Sequence, residues 1–210
     1  MELSHQHLLA VLLWILWCSL HSALIAASVT GYMKKKLGDA YRFYRLLYNI
    51  VALITFIPLV LYSISLEKAP IFRWEGPLVI IRYMLSAASI CLFVAGGRHY
   101  SLSKLLGIDQ IRTRTAKHVL SEHDVFAASG ILSAIRHPWY AGGILIIWAR
   151  DISLFAFLNN IVISAYFVIG AYLEERKLVR EFGEVYREYQ KNVSMLFPYK
   201  WLKAKIAEPT

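Results

Sequence analysis

The sequence predicts an all-α integral membrane protein of about five transmembrane helices, the last two paired as a hairpin and followed by a cytosolic amphipathic helix. Three observations predict it. Hydrophobic residues make up 58% of the 210 and charged residues only 18%, a smaller charged share than a soluble domain carries. The mean hydropathy is +0.48. Apolar stretches also recur at the length needed to cross a hydrocarbon core of about 30 Å, roughly 20 residues each.

Residues 8–29 and 45–66 are two such stretches, and 77–97 is a third, interrupted once by Arg82. Residues 139–173 are too long for one span. They are broken at Arg150-Asp151 and again at Asn159-Asn160, which suits two short helices joined by a turn. We expect one membrane domain over 1–210, with a three-helix part at 1–97, a cytosolic or interfacial segment at 98–135, and a hairpin with its tail helix at 136–199. The start, Met1 to His7, lacks the basic region and small-residue cleavage site of a secretory signal, so the first span is expected to stay.

Basic residues orient the spans. Five Lys and Arg follow the first span, six follow the third and eight follow the fifth, so 19 of the 23 fall on one side. The N-terminus is therefore expected outside and the tail inside. The net charge of +9 needs no nucleic acid, because basic loops beside an anionic leaflet account for it; the lipid bilayer is the expected partner. Cys18 and Cys91 both fall in expected spans and read as small packing residues, with no disulfide or metal role.

Four segments have more to say. His21 lies deep in the first span, where a histidine faces the bundle interior and bonds a neighbouring helix. Tyr100-x-x-x-Lys104-Leu-Leu-Gly107 reads as an interfacial helix. Ser121 to Asp124 offers a helix start, and His118, Glu122 and His123 nearby have metal-ligand chemistry, but no cysteine or second cluster completes a set. In 174–193, Leu178, Phe182, Tyr186, Tyr189 and Val193 fall on one face of a helix at steps of three and four, with charges opposite.

The two mouths of the hairpin hold the chemistry. Arg136-His137-Pro138-Trp139-Tyr140-Ala-Gly142 opens it, and Glu174-Glu175 follows it. Proline suits the first turn of a helix and keeps the preceding residues non-helical. The first amides of that helix suit an anionic group, and two carboxylates suit ammonium or ribose hydroxyls. Together they would fit a zwitterion carrying a nucleoside.

Gly130, Arg136-His137-Pro138-x-Tyr140-x-Gly142, Glu174-Glu175-x-x-Leu178, Phe182-Gly183, Tyr186-x-x-Tyr189 and Met195-Leu-Phe-Pro198 recur in an order and spacing that resembles the isoprenylcysteine carboxyl methyltransferase family. Phospholipid methyltransferases share much of it, and the match covers about 124–199. The N-terminal half, with Leu20-His21-Ser22 and Tyr44-Arg45-Leu-Leu-Tyr48-Asn49, is more similar to the bacterial branch of methanethiol S-methyltransferases and NnrU-like proteins. The resemblance implies an S-adenosylmethionine-dependent methyltransferase with its cofactor site on the cytosolic side. It implies cofactor binding by Phe126, Ala127, Gly130, Arg136, His137, Pro138, Trp139, Tyr140, Glu174 and Glu175. Two positions depart from the family: Leu132 stands where an aromatic is frequent. Gly170 stands where the prenylcysteine enzymes place the arginine that meets substrate.

The implied reaction moves a methyl group from sulfonium to a small lipophilic thiol or a lipid-like acceptor. Alignment and desolvation would supply most of the catalysis. A thiol reacts as its thiolate, and Arg136, His137 or Arg150 would be the cation beside it; no catalytic base is identified. The alternatives are a prenylcysteine carboxyl or phospholipid amine acceptor, a nicotinamide-dependent reductase on a related architecture, and a membrane accessory protein without turnover. The short loop before Arg136 leaves little room for a dinucleotide.

Overall fold

The computed structural model describes residues 4–67, 69–113 and 128–207. Among these the protein is all-α: α1 (His5–Leu24), α2 (Ala27–Leu37), α3 (Tyr44–Ser65), α4 (Leu78–Gly97), α5 (Leu102–Leu106), α6 (Ile108–Thr113), α7 (Pro138–Trp148), α8 (Leu154–Phe182), α9 (Glu184–Asn192) and α10 (Tyr199–Ala207). Short 3-10 turns at Gly38–Phe43 and Gly130–Ser133 join them. Four stretches are long and apolar enough to cross a membrane: α1, the run Ala27–Ser65, α4 and α8. The fifth apolar helix, α7, has 11 residues, about 16 Å at 1.5 Å per residue. The chain is a multi-pass membrane protein.

Three boundaries differ from those expected. The first span ends at Leu24 rather than at residue 29, and the Tyr44 hydroxyl donates to the Leu24 carbonyl at 2.7 Å. That bond satisfies one of the orphan acceptors a helix end exposes. The helix α8 passes through Asn159-Asn160 without a break, with both side chains buried. The helix expected over 174–193 is two helices, α8 and α9, divided at Gly183 with φ +59.

The chain divides into two compact units. The first contains Met1–Ile71, Ser101–Val119 and Ile152–Ile163. In it α1 and α3 are tied by indole and imidazole bonds. Trp14 Nε1 donates to Ser63 Oγ at 2.8 Å, Trp17 Nε1 donates to Thr55 Oγ1 at 3.0 Å, and the Tyr48 hydroxyl lies 2.7 Å from His21 Nδ1. The intramembrane histidine thus has its partner on a neighbouring helix, as such depth demands. Arg45 Nη1 and Asn49 Nδ2 donate to the carbonyls of Lys104 and Leu105, pinning α5 to the start of α3.

The second unit contains Phe72–Tyr100, Leu120–Asp151 and Ser164–Thr210, and it carries the motifs. Here α4 and α7 run side by side. The Ser89 hydroxyl donates to the Gly142 carbonyl at 2.8 Å, and Trp139 Nε1 donates to the Phe93 carbonyl at 3.0 Å. Glycines permit close approach on both sides of α7: a Cβ on Gly96 of α4 would lie 2.6 Å from the Trp139 ring, and one on Gly143 2.8 Å from the Phe167 ring of α8. At the far end of α7 the two interruptions noted in the sequence meet, since Arg82 Nη1 lies 3.7 Å from Asp151 Oδ1. Trp74 closes that end, donating from its indole to the Arg150 carbonyl at 3.0 Å.

Candidate functional site

Pro138 opens α7 as its sequence position requires, with His137 outside the helix at φ −123 and ψ 68. The extended residues before it pair with the chain that leaves α9. Ile135 bridges Ser194 in parallel, Arg136 N–H donates to the Ser194 carbonyl at 2.9 Å, and His137 N–H donates to the Met195 carbonyl at 3.1 Å. This strand-like clamp explains why residues 136 and 137 face α8 although no strand forms.

From α8, Glu174 and Glu175 meet them. Arg136 Nε donates to Glu175 Oε1 at 2.6 Å, and its Nη1 donates to the carbonyls of Gln190, at 3.1 Å, and Val193. His137 Nε2 lies 3.2 Å from the same Glu175 oxygen, and its Nδ1 lies 3.7 Å from Glu174 Oε2. Gln190 Nε2 donates to Glu175 Oε2 at 2.7 Å. Glu175 thus faces inward, with its side chain 7% exposed and both oxygens engaged. Burying such an ion pair is tolerable only because each group has its hydrogen bonds.

Glu174 is placed differently. Its side chain is 27% exposed, and its Oε2 accepts the Tyr140 hydroxyl at 3.0 Å. Tyr140 stacks on His137 at 5.3 Å and 7°, and on Phe167 at 5.6 Å. The result is a partly open carboxylate at the edge of an aromatic stack. Tyr100 lies against the Trp139 ring at 4.6 Å, and Tyr186 and Tyr189 meet edge-on on α9 at 5.5 Å. Burial pushes the Tyr100 phenol well above its ordinary value, with the Glu174 charge adding to it. Burial does the same for Tyr186, helped by Glu175. It also raises Tyr189, whose hydroxyl donates to the Leu132 carbonyl at 2.5 Å. All three stay neutral donors at neutral pH.

The structure therefore brings together Arg136, His137, Tyr140, Glu174 and Glu175. Pro138 and Trp139 serve the packing of α7 on α4, and Gly130, at φ +55, starts the 3-10 turn beside His99. Phe126 and Ala127 lie outside the described residues, as do His118, Glu122 and His123. Arg150 sits past the other end of α7 from His137. Sequence reasoning missed Gln190, which looks like any polar residue on an amphipathic helix. Its only signal is position: it is one residue beyond Tyr189 and one turn beyond the buried Tyr186.

An all-α membrane protein with a buried arginine–carboxylate–imidazole cluster beside a partly open carboxylate is the class that fold and site define. Residues 8–193 match the family model described as NnrU protein, and the chain belongs to that family. It is also similar to proteins named methanethiol S-methyltransferase. One from a Pseudomonas strain is 32% identical over 134 residues, 61% of this chain and 50% of that protein. One from Pseudomonas deceptionensis is 43% identical over 65 residues, 30% of this chain and 25% of that protein. Methanethiol S-methyltransferase 1 of Bradyrhizobium diazoefficiens is 41% identical over 71 residues, 31% of this chain and 24% of that protein. The chain thus spans half the length of these relatives or less. No solved structure matches it significantly.

Proposed function

We propose that this protein is an S-adenosylmethionine-dependent membrane methyltransferase acting on a small lipophilic thiol, with its cofactor site on the cytosolic side. The observation that carries the reading is the assembly of Tyr140, His137 and Glu174 into one partly open edge, in a chain similar to methanethiol S-methyltransferases. The donor set fits the group: a carboxylate accepts hydrogen bonds from an ammonium or from ribose hydroxyls, and an aromatic stack gives a flat apolar surface for a base.

The roles divide along the observed contacts. Glu174 holds the cofactor, and Tyr140, bonded to it at 3.0 Å, orients the carboxylate. Glu175 does not reach out; it positions Arg136 and His137 from behind. The bound cofactor supplies an electrophilic methyl group on sulfonium. Arg136, its charge matched by Glu175 and its nitrogens bonded within the protein, holds the His137 ring in place, and the acceptor thiol reacts as its thiolate. The lipid-exposed apolar surfaces of α4 and α8 suit an acceptor arriving from the bilayer. A prenylcysteine carboxylate is disfavoured, because Gly170 offers no cation where such a substrate is met.

The test is calorimetric titration of S-adenosylhomocysteine into detergent-purified protein, followed by labelled methyl donor with a panel of alkanethiols, lipid amines and prenylcysteine. Binding by the wild type, at least tenfold weaker for Glu174→Ala, with label transferred to thiols, is expected. A folded wild type that binds nothing overturns the reading. Binding of a nicotinamide cofactor instead would indicate a reductase, and binding without transfer to any acceptor an accessory protein.

A further inference from the structure

We infer that the outer face of α8 holds a phosphate-bearing site for one phospholipid of the surrounding leaflet, separate from the proposed methyl-transfer edge. A cleft of about 350 Å³ is lined by Tyr172, Glu175, Arg176, Val179, Arg180 and Gln190. Four of these, Tyr172, Arg176, Val179 and Arg180, follow the i, i+4, i+7, i+8 spacing of one helical face. Arg176 and Arg180 are both exposed and one turn apart, both line the cleft, and Arg180 Nε donates to the Arg176 carbonyl at 3.2 Å.

Depth points to the occupant. Residues 154–173 of α8 carry no charge, about 30 Å of helix and the thickness of the hydrocarbon core. Arg176 and Arg180 follow within about 5 and 10 Å along the axis, where lipid phosphates sit. Below them the same face is an exposed apolar stripe, Val168, Ile169 and Tyr172, to lie along an acyl chain. Tyr172 stands at the boundary, the level at which tyrosines collect.

The carboxylate in the wall does not oppose an anion. Glu175 has both oxygens turned to Arg136 and Gln190, so its charge is matched within the protein. Outside the lining, Lys200 Nζ donates to the carbonyls of Gln190 and Lys191 at 2.9 and 2.7 Å, adding a third cation next to Gln190. Arginine pairs bind phosphate bidentately, so the site favours a lipid with net negative charge, whose headgroup adds no competing cation.

Native mass spectrometry of the detergent-purified protein with phosphatidylglycerol or phosphatidylcholine tests this. A single retained phosphatidylglycerol adduct is expected, reduced at least tenfold in Arg176→Ala/Arg180→Ala and unchanged in Lys203→Ala/Lys205→Ala, which removes the same charge from α10. S-adenosylhomocysteine affinity is expected to be equal in all three proteins. No adduct on the wild type, or equal loss in both double variants, overturns the site. Loss of S-adenosylhomocysteine binding with the two arginines would overturn it as well, by making the cleft part of the cofactor site.

Discussion

At the scale of single residues, the adjacent glutamates of α8 have opposite fates. Glu175 is the internal anion, matched to Arg136 and held by Gln190, and Glu174 stays partly open. Removing one partner of a buried ion pair leaves an uncompensated charge and costs about 3–5 kcal/mol. Glu175→Ala is therefore expected to lower the unfolding temperature in detergent sharply, and Glu174→Ala to leave it nearly unchanged while weakening ligand binding. Equal thermal shifts for the two variants would refute this division. The sequence names the pair but not the division, because two neighbouring glutamates differ only by a rotation of 100° about the helix axis. Gln190 was illegible for a related reason: its importance lies in a bond made across the fold.

At the scale of elements, what was legible followed from period and punctuation. Pro138 marks the start of α7, and the apolar run of α4 marks its length within a residue. The face Leu178, Tyr186 and Val193 is buried as its spacing predicts. The break at Gly183 was hidden because that spacing continues in phase on either side of it. A side chain at Gly183 would meet nothing within 4 Å, so its constraint is the backbone alone, at φ +59 and ψ −132. Gly183→Ala is expected to cost about 1–3 kcal/mol. Gly31, inside α2 and equally open, is expected to gain about 0.5–1 kcal/mol as alanine. Denaturation of the two variants should move in opposite directions; movement in the same direction would discard the backbone argument. The polar dipeptide Asn159-Asn160 misled because asparagine lowers helix propensity by only a fraction of a kcal/mol and does not by itself end a helix of 29 residues.

At the scale of the whole molecule, composition alone makes the membrane class legible, and the four long apolar stretches agree with it. The count of basic residues predicts the sidedness. We expect a C-terminal tag after α10 to be cleaved by protease in inverted vesicles and protected in right-side-out spheroplasts, with an N-terminal tag showing the reverse. The opposite pattern would invert the proposed placement of the cofactor site. What composition does not convey is that α7 is only 11 residues long. Of its residues only Ile146 is exposed, so the longer α4 and α8 flank this helix and spare the bilayer a hydrophobic mismatch along it.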